Sequence, residues 1–270
     1  MGAIVGVHGI GKYKYYRAAG HSAEGAADAM RLKWDRYLHP CLKSARGTYV
    51  SEVAYFAHLL HEGPDDQDEP APEKMDAGTR QFFVGWAKQA GWGEHLTAIL
   101  AGVTGWVLRK PRAVTFAMRF VPEVATYLTN PDKRTKCQET VAHVIRKNRP
   151  KVVIAHSLGS VVAYETLWAN PDLEVDLLIT LGSPLGMRNV VFERLLPAPV
   201  NGRGCRPKGV KRWVNIADRH DIAAIPPQLA GCFTGVDTEQ LVNLDWLDFH
   251  TVEKYLGCGA LAEFLRPYVA

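Results

Sequence analysis

The sequence predicts an α/β protein in which a mostly parallel sheet lies between two layers of helices. Short, nearly continuous apolar runs, each bounded by turn or charged residues, recur along the 270-residue chain. Segments with apolar residues at helical spacing separate these runs. Strands that alternate with helices form βαβ units, whose right-handed crossovers make the strands parallel. A chain of this length with 47% hydrophobic residues has enough material for the core of one such domain.

Five strands and five helices are predicted in alternation. The strands are short apolar runs of the kind found in buried parallel sheets, at residues 3–7, 48–57, 151–155, 176–181 and 211–217. The helices are the periodic segments between and after them, at residues 21–38, 134–147, 160–168, 188–195 and 252–265. This order gives one α/β domain that spans residues 1–270.

The segment between the second and third predicted strands is too long for one connecting helix. Residues 62–72 are acidic and contain proline, residues 80–92 are rich in aromatic side chains, and residues 95–108 carry one apolar helical face. Residues 63–118 are therefore expected to form a helical cap or lid over the functional site. The alternative is that they are extra helices that complete the core.

Composition excludes several classes of function. The net charge of +4 is small and scattered, which argues against a nucleic-acid partner. Five cysteines without a CxxC pair indicate neither a disulfide framework nor a zinc site. The N-terminus lacks the pattern of a signal peptide, and no run approaches the roughly 18 apolar residues of a membrane span. We expect a cytoplasmic protein without membrane association, metal or other cofactor.

The most informative segment is Ala155-His156-Ser157-Leu158-Gly159, which joins a buried strand to a helix. A serine on such a tight turn adopts strained backbone geometry, and the small residues Ala155 and Gly159 avoid collisions with neighbouring elements. The segment resembles the nucleophile elbow of the α/β-hydrolase superfamily, with alanine in place of the usual first glycine, as in several of its bacterial lipases. An ordinary turn that happens to contain serine is the alternative.

The resemblance implies a catalytic triad in the chain order serine, acid, histidine. His220 and His250 are the only histidines after Ser157, and His250 lies just before the last predicted helix, where the family places its base. Asp221 is favoured as the acid because the apolar and proline residues that follow it resemble the same segment in many lipases. Asp218 is the alternative acid, and the aspartate that is not catalytic would brace the loop.

The resemblance also implies an oxyanion hole formed by two backbone N–H groups. One belongs to Leu158, after the nucleophile, and the other is assigned to Ile10 in the loop after the first strand, which resembles the family's HGxG element. His8 is expected to hold this loop. The residues expected around the substrate are His8, Gly9, Ser183 and Pro184.

Together these motifs resemble the superfamily over nearly the whole chain, and its bacterial lipase-like and esterase-like members most closely. The chain begins at what would be the family's third strand, so the sheet should be smaller and lack the first strands. The implied activity is cleavage of an ester, amide or thioester bond in a small-molecule or lipid-like acyl substrate through an acyl-enzyme. The same triad also serves acyltransferases and peptidases, and the sequence leaves these open.

Two further interpretations compete with catalysis by serine. Residues 6–12 fit GxxxxGK after a strand, as in phosphate-binding loops, but Tyr13 occupies the position where serine or threonine would hold magnesium. The oxyanion role already explains these glycines. A catalytically silent binding protein of the same fold is the second alternative, and the complete Ser, Asp and His set argues against it.

Overall fold

Six parallel strands form the central sheet, with helices on both faces, so the predicted α/β class is confirmed. The computed structural model describes residues 2–42, 49–62, 75–92, 111–244 and 250–269. In chain order the strands are β1 Gly2–Val7, β2 Tyr49–Ala54, β3 Val152–His156, β4 Val175–Leu181, β5 Gly204–Cys205, β6 Val210–Asp218, β7 Phe233–Thr234 and β8 Thr238–Val242. The sheet has the order β2-β1-β3-β4-β6-β8, and β5 pairs separately with β7.

The strand order creates a switch point between β1 and β3. The chain runs from β1 outward to β2 and then returns to the other side of β1 as β3, and both neighbours are parallel to β1. Val7 of β1 lies opposite Ala155 of β3, so the segments that follow these two residues emerge side by side. Sites in open α/β sheets form at such a point, outside the carboxyl ends of the strands.

The helices lie in two layers that pack against opposite faces of the sheet. Alternate residues of β3 show the division, since Val153 and Ala155 belong to one hydrophobic cluster and Val152 and Ile154 to the other. The helices are α1 Tyr13–Ala18, α2 Ala23–Leu42, α3 Ala57–Leu60, α4 Ala77–Gln89, α5 Pro111–Thr129, α6 Pro131–Asn148, α7 Leu158–Ala169, α8 Val252–Gly257 and α9 Ala262–Leu265.

Two predicted helices are wrong. Residues 188–195 contain only a 3-10 turn, Phe192–Arg194, because Asn189 has a left-handed φ of 61° and the Arg194 guanidinium donates to the Asn189 carbonyl at 2.9 Å. The continuous helix predicted over 252–265 is divided into α8 and α9 near Gly259, whose φ is 81°. Strands β5, β7 and β8 and helices α1, α3 and α5 were not predicted.

The described part of the expected cap, residues 75–92 and 111–118, is joined to the main core. Phe83 and Trp86 of α4 are fully buried in the same hydrophobic cluster as Val153. The Trp86 indole Nε1–H also donates to the Ile222 carbonyl at 2.9 Å, which fixes α4 to the loop after β6. Residues 63–74 and 93–110 lie outside the described residues, including the helix expected at 95–108, so the cap over 63–118 stays a prediction.

A buried ion pair connects α5, α6 and α7. Arg134 of α6 donates to both carboxylate oxygens of Glu165 of α7, with Nε 2.9 Å from Oε2. Glu165 also accepts from the Tyr127 hydroxyl at 2.7 Å, the Gln138 amide at 2.9 Å and the Leu196 N–H at 3.0 Å. The carboxylate has no exposed surface, so all of its solvation comes from these five donors.

Within the described ranges, no helix is both long enough and apolar enough to cross a membrane.

Candidate active site

Ser157 occupies a strained turn between β3 and α7. Its φ of 54° and ψ of −132° lie in a region that residues with a Cβ rarely adopt, and the residue is fully buried. The surrounding backbone holds it there, since the Ser157 N–H donates to the Leu181 carbonyl at 3.0 Å and the Ser160 N–H donates to the Ser157 carbonyl at 2.9 Å. The turn therefore has the strained backbone that the sequence predicts for this serine.

Two glycines allow the turn to approach its neighbours. A Cβ on Gly159 would lie 2.2 Å from the His8 carbonyl oxygen and 2.5 Å from that of Val7. A Cβ on Gly9 would lie 2.6 Å from the Cβ of Ser157. The loop after β1 and the start of α7 are therefore in direct contact, and each of these segments carries one of the two expected oxyanion donors.

Gly159→Ala should destabilise the fold by about 3 kcal/mol, the upper end of the usual range for overpacking, because the obstructing atoms are backbone carbonyls. Gly231→Ala is the matched control, since a Cβ there meets nothing within 4 Å. Urea denaturation of both variants measures the difference in the free energy of unfolding. Equal stability of the two variants would show that the close approach at Gly159 is wrong.

His250 connects Ser157 to Asp221 through its two ring nitrogens. Nε2 lies 2.7 Å from the Ser157 Oγ, and Nδ1 lies 2.7 Å from Oδ2 and 2.9 Å from Oδ1 of Asp221. An ionised carboxylate only accepts hydrogen bonds, so Nδ1 carries the proton and Nε2 is free to accept from the serine hydroxyl. All three side chains are buried.

The structure brings Asp221, rather than Asp218, to His250. Asp218 instead accepts from the backbone N–H of His220 at 2.7 Å and from that of Leu244. These bonds join the end of β6 to the segment after β8, so Asp218 braces the loop that carries Asp221.

Tyr255 and Gly182 complete the surroundings of Asp221, and neither role was predicted. The Tyr255 hydroxyl donates to Asp221 Oδ2 at 2.7 Å and accepts from the Asp218 N–H at 2.8 Å. Burial, reinforced by the nearby Asp221 charge, raises the pKa of Tyr255 well above its usual value, so the hydroxyl keeps its proton. Gly182 has a φ of 52°, and a Cβ there would lie 2.7 Å from Asp221 Oδ2.

Asp221 also accepts from the Ala223 N–H, 2.9 Å from Oδ1. With the Tyr255 hydroxyl on Oδ2, each carboxylate oxygen has a donor besides His250. These fixed donors set the plane of the carboxylate and hence the orientation of the imidazole.

The loop after β1 is held by His8. Nδ1 of His8 donates to the Gly9 carbonyl at 2.7 Å, and Nε2 accepts from the Phe56 N–H at 3.0 Å. Burial lowers the pKa of His8 to about 3, so the ring stays neutral. His8, which was also expected in the substrate pocket, thus directs both ring nitrogens to the protein backbone.

The two expected oxyanion donors lie at the ends of adjacent segments. Among the described residues, no acceptor is bonded to the N–H of Ile10 or that of Leu158. Leu158 is the first residue of α7, so its N–H points from the positive end of the helix dipole. Neither of these two N–H groups is therefore taken up by another described group of the protein.

Ser183 and Pro184, the other residues expected around the substrate, are buried beside α7. The Ser183 Oγ lies 2.6 Å from the Ser160 Oγ and accepts from the Leu185 N–H at 3.3 Å. The Ser160 hydroxyl in turn donates to the Ser157 carbonyl at 2.6 Å. Ser183 is therefore connected through Ser160 to the turn that carries Ser157. Of the residues expected around the substrate, Gly9 lies directly against Ser157.

Two rings that the sequence did not single out contact His250. Phe120 of α5 lies edge-on to it, with ring centroids 6.4 Å apart, and His156 lies 4.8 Å away. Both nitrogens of His156 lack hydrogen-bond partners among the described residues. Burial and the neighbouring His250 lower the pKa of His156 well below its usual value, so the ring is neutral. A phenylalanine within a helix gives no sequence signal of such a contact.

No group of three or more metal-ligating side chains occurs in the parts of the chain that the structure describes. Comparison of the chain with protein-family models, curated proteins and solved structures finds no match in any of the three. The geometry of the site is therefore the basis for assigning its chemistry.

Proposed function

We propose that the protein is a serine hydrolase of the α/β-hydrolase type that cleaves an ester, amide or thioester bond of an acyl substrate. The observation that carries the proposal is the hydrogen-bonded chain from Ser157 through His250 to Asp221. Serine is a weak nucleophile unless a base accepts its proton and a third group orients that base. Here the three groups occur in the required order and at hydrogen-bonding distance.

Acylation begins when the Ser157 Oγ attacks the substrate carbonyl carbon and His250 Nε2 takes the hydroxyl proton. The carbonyl oxygen becomes an oxyanion, which the N–H groups of Ile10 and Leu158 stabilise. When the bond to the leaving group breaks, His250 returns the proton to that group. Asp221 keeps the imidazole oriented and stabilises its charged form.

Deacylation repeats these steps with water in place of the serine hydroxyl. His250 takes one proton from the water as its oxygen attacks the acyl carbon, and a second tetrahedral intermediate forms. The bond to the Ser157 Oγ then breaks, the serine recovers its proton from His250, and a carboxylic acid leaves. No external oxidant, reductant or metal is needed for either half.

The surroundings of Ser157 favour an apolar acyl group. Phe120 covers His250 from α5, and Ile10 and Val121 pack in the same hydrophobic cluster. Ser157 has no exposed surface, so a substrate reaches it only after some covering residues move. We infer that α5 belongs to this cover, which fits a small-molecule or lipid-like substrate.

Intact-mass measurement after treatment with a fluorophosphonate tests the proposed function. We expect one adduct on the wild type and none on Ser157→Ala, because only a hydroxyl paired with a base is nucleophilic enough to react. Ser22→Ala, which removes a hydroxyl that accepts from the Gly25 N–H at the start of α2, is the control and should keep the adduct. Heat-denatured wild type should not react.

Both a long-chain fluorophosphonate and the small phenylmethylsulfonyl fluoride are used, since a closed cover would exclude only the larger probe. Hydrolysis of p-nitrophenyl esters from acetate to laurate then defines the acyl length. A folded wild type that reacts with neither probe and hydrolyses none of these esters would contradict the proposed function.

A further inference from the structure

Glu123 joins helix α5 to the loop that carries an expected oxyanion donor. The Gly11 N–H donates to Glu123 Oε1 at 2.8 Å, across 112 positions of sequence. Gly11 directly follows Ile10 and has a left-handed φ of 68°. The hydrogen bond therefore fixes the peptide next to the one whose N–H would face the oxyanion.

The loop is anchored on both sides of Ile10. On the N-terminal side, His8 bonds to the backbone of Gly9 and Phe56. On the C-terminal side, the bond from Gly11 to Glu123 supplies the second anchor. Two fixed points in such a short segment leave the Ile10 peptide little freedom to rotate, and a preorganised donor is what oxyanion stabilisation requires.

One face of helix α5 makes two contacts in this region, one with His250 and one with the loop after β1. Phe120 contacts the His250 ring, and Glu123, three residues further along the same helix face, contacts the loop after β1. The position of α5 therefore bears on both the base and the oxyanion loop. The expected cap ended at residue 118, just before these two contacts.

Glu123 is a half-buried residue of α5. Burial raises its pKa to about 7, and the Gly11 hydrogen bond and the Lys12 charge oppose this shift. The other titratable groups that interact with it are Tyr55 at the end of β2 and Cys137 of α6. The Gly11 hydrogen bond offsets part of the cost of placing this carboxyl group away from water.

We propose that Glu123 is a positioning residue that holds the oxyanion loop in its working geometry through the Gly11 N–H. The inference rests on the proposed function, because it assigns a role to the loop in stabilising an acyl oxyanion. Glu123 contacts neither Ser157 nor His250, so it acts through Ile10.

Three variants separate the hydrogen bond from the charge. Glu123→Gln keeps an amide oxygen that accepts from Gly11, whereas Glu123→Ala removes the acceptor. We expect Glu123→Ala to lower kcat for an ester substrate by about 10- to 100-fold with KM unchanged, since a misplaced donor weakens the transition state rather than substrate binding. Glu123→Gln should restore kcat to within about threefold of wild type. Glu139→Ala, at an exposed position on α6, controls for loss of one charge.

Two measurements do not depend on activity. Hydrogen exchange at the Gly11 amide should accelerate at least about tenfold in Glu123→Ala but not in Glu123→Gln. Stability provides the second measurement, because the folded pKa of about 7 exceeds the ordinary value of 4.5. Between these values the unfolded chain binds fewer protons, so wild-type stability falls as pH rises. Relative to wild type, Glu123→Gln should therefore gain Tm between pH 5 and pH 7.5.

Each outcome separates this inference from the proposed function. Wild type that reacts with the fluorophosphonate, together with a Glu123→Ala variant of unchanged kcat and unchanged Gly11 exchange, overturns the positioning role and leaves the hydrolase standing. Faster exchange with unchanged kcat also overturns it, since the loop would then loosen without consequence. A wild type without any serine reactivity overturns both.

Discussion

On the proposed function, Asp221→Asn should lower kcat by about 1,000- to 10,000-fold, the loss expected when an imidazole is held in the wrong tautomer. The asparagine oxygen takes the position that accepts from the Ala223 N–H, so the amide NH₂ faces Tyr255 and His250. At the shorter of its two contacts with residue 221, Nδ1 of His250 then meets a donor instead of an acceptor. The imidazole proton moves to Nε2, which can no longer accept the Ser157 proton.

Asp218→Asn is the matched control because it makes the same change three residues away. Asp218 accepts from two backbone N–H groups, and an asparagine oxygen can keep one of them. We expect less than about a tenfold loss in kcat, together with lower stability. Ester hydrolysis and the rate of fluorophosphonate labelling measure both variants, with circular dichroism to check folding. A larger loss of activity in Asp218→Asn would reverse the assignment of the acid.

Arg134→Met costs about 3–5 kcal/mol of stability, because it leaves the Glu165 carboxylate buried without its cation. The neutral donors Tyr127, Gln138 and Leu196 remain but do not balance the charge. Arg146→Met is the control on the same helix, since Arg146 pairs with Asp172 in solvent and its loss should cost less than about 1 kcal/mol.

Urea unfolding of the two arginine variants and of the double variant Arg134→Met/Glu165→Met measures this effect. The double variant should be more stable than Arg134→Met alone, because it removes the unpaired charge and adds apolar volume. Equal losses in the free energy of unfolding for Arg134→Met and Arg146→Met would contradict the stabilising role of the buried pair.

The parts of the fold that local sequence pattern predicts are the buried strands and the serine turn. The runs around β3 and β4 are mostly apolar, and a parallel strand buried on both faces produces that pattern directly. The edge strand β8 was missed because residues 238–242 are only partly buried and include polar side chains. Helix α5 was missed because Pro122 interrupts its pattern, although the helix continues through it.

Motif spacing and chain order were enough to select the three side chains that the structure brings together at the candidate site. Ser157 was selected from its motif, His250 from its place before the last predicted helix, and Asp221 from the apolar and proline residues that follow it. The Tyr255 hydroxyl, which donates to Asp221, lies 34 residues beyond it and has no marker in a single sequence. The hydrogen bond between Glu123 and Gly11 was not predicted either, because its two residues are 112 positions apart in the sequence.

The backbone of Ser157 is one that glycine would tolerate better than serine. A φ of 54° is unfavourable for a residue with a Cβ but ordinary for glycine. Stability alone therefore does not explain a serine at this position, and the hydroxyl is held against the His250 ring at the cost of backbone strain.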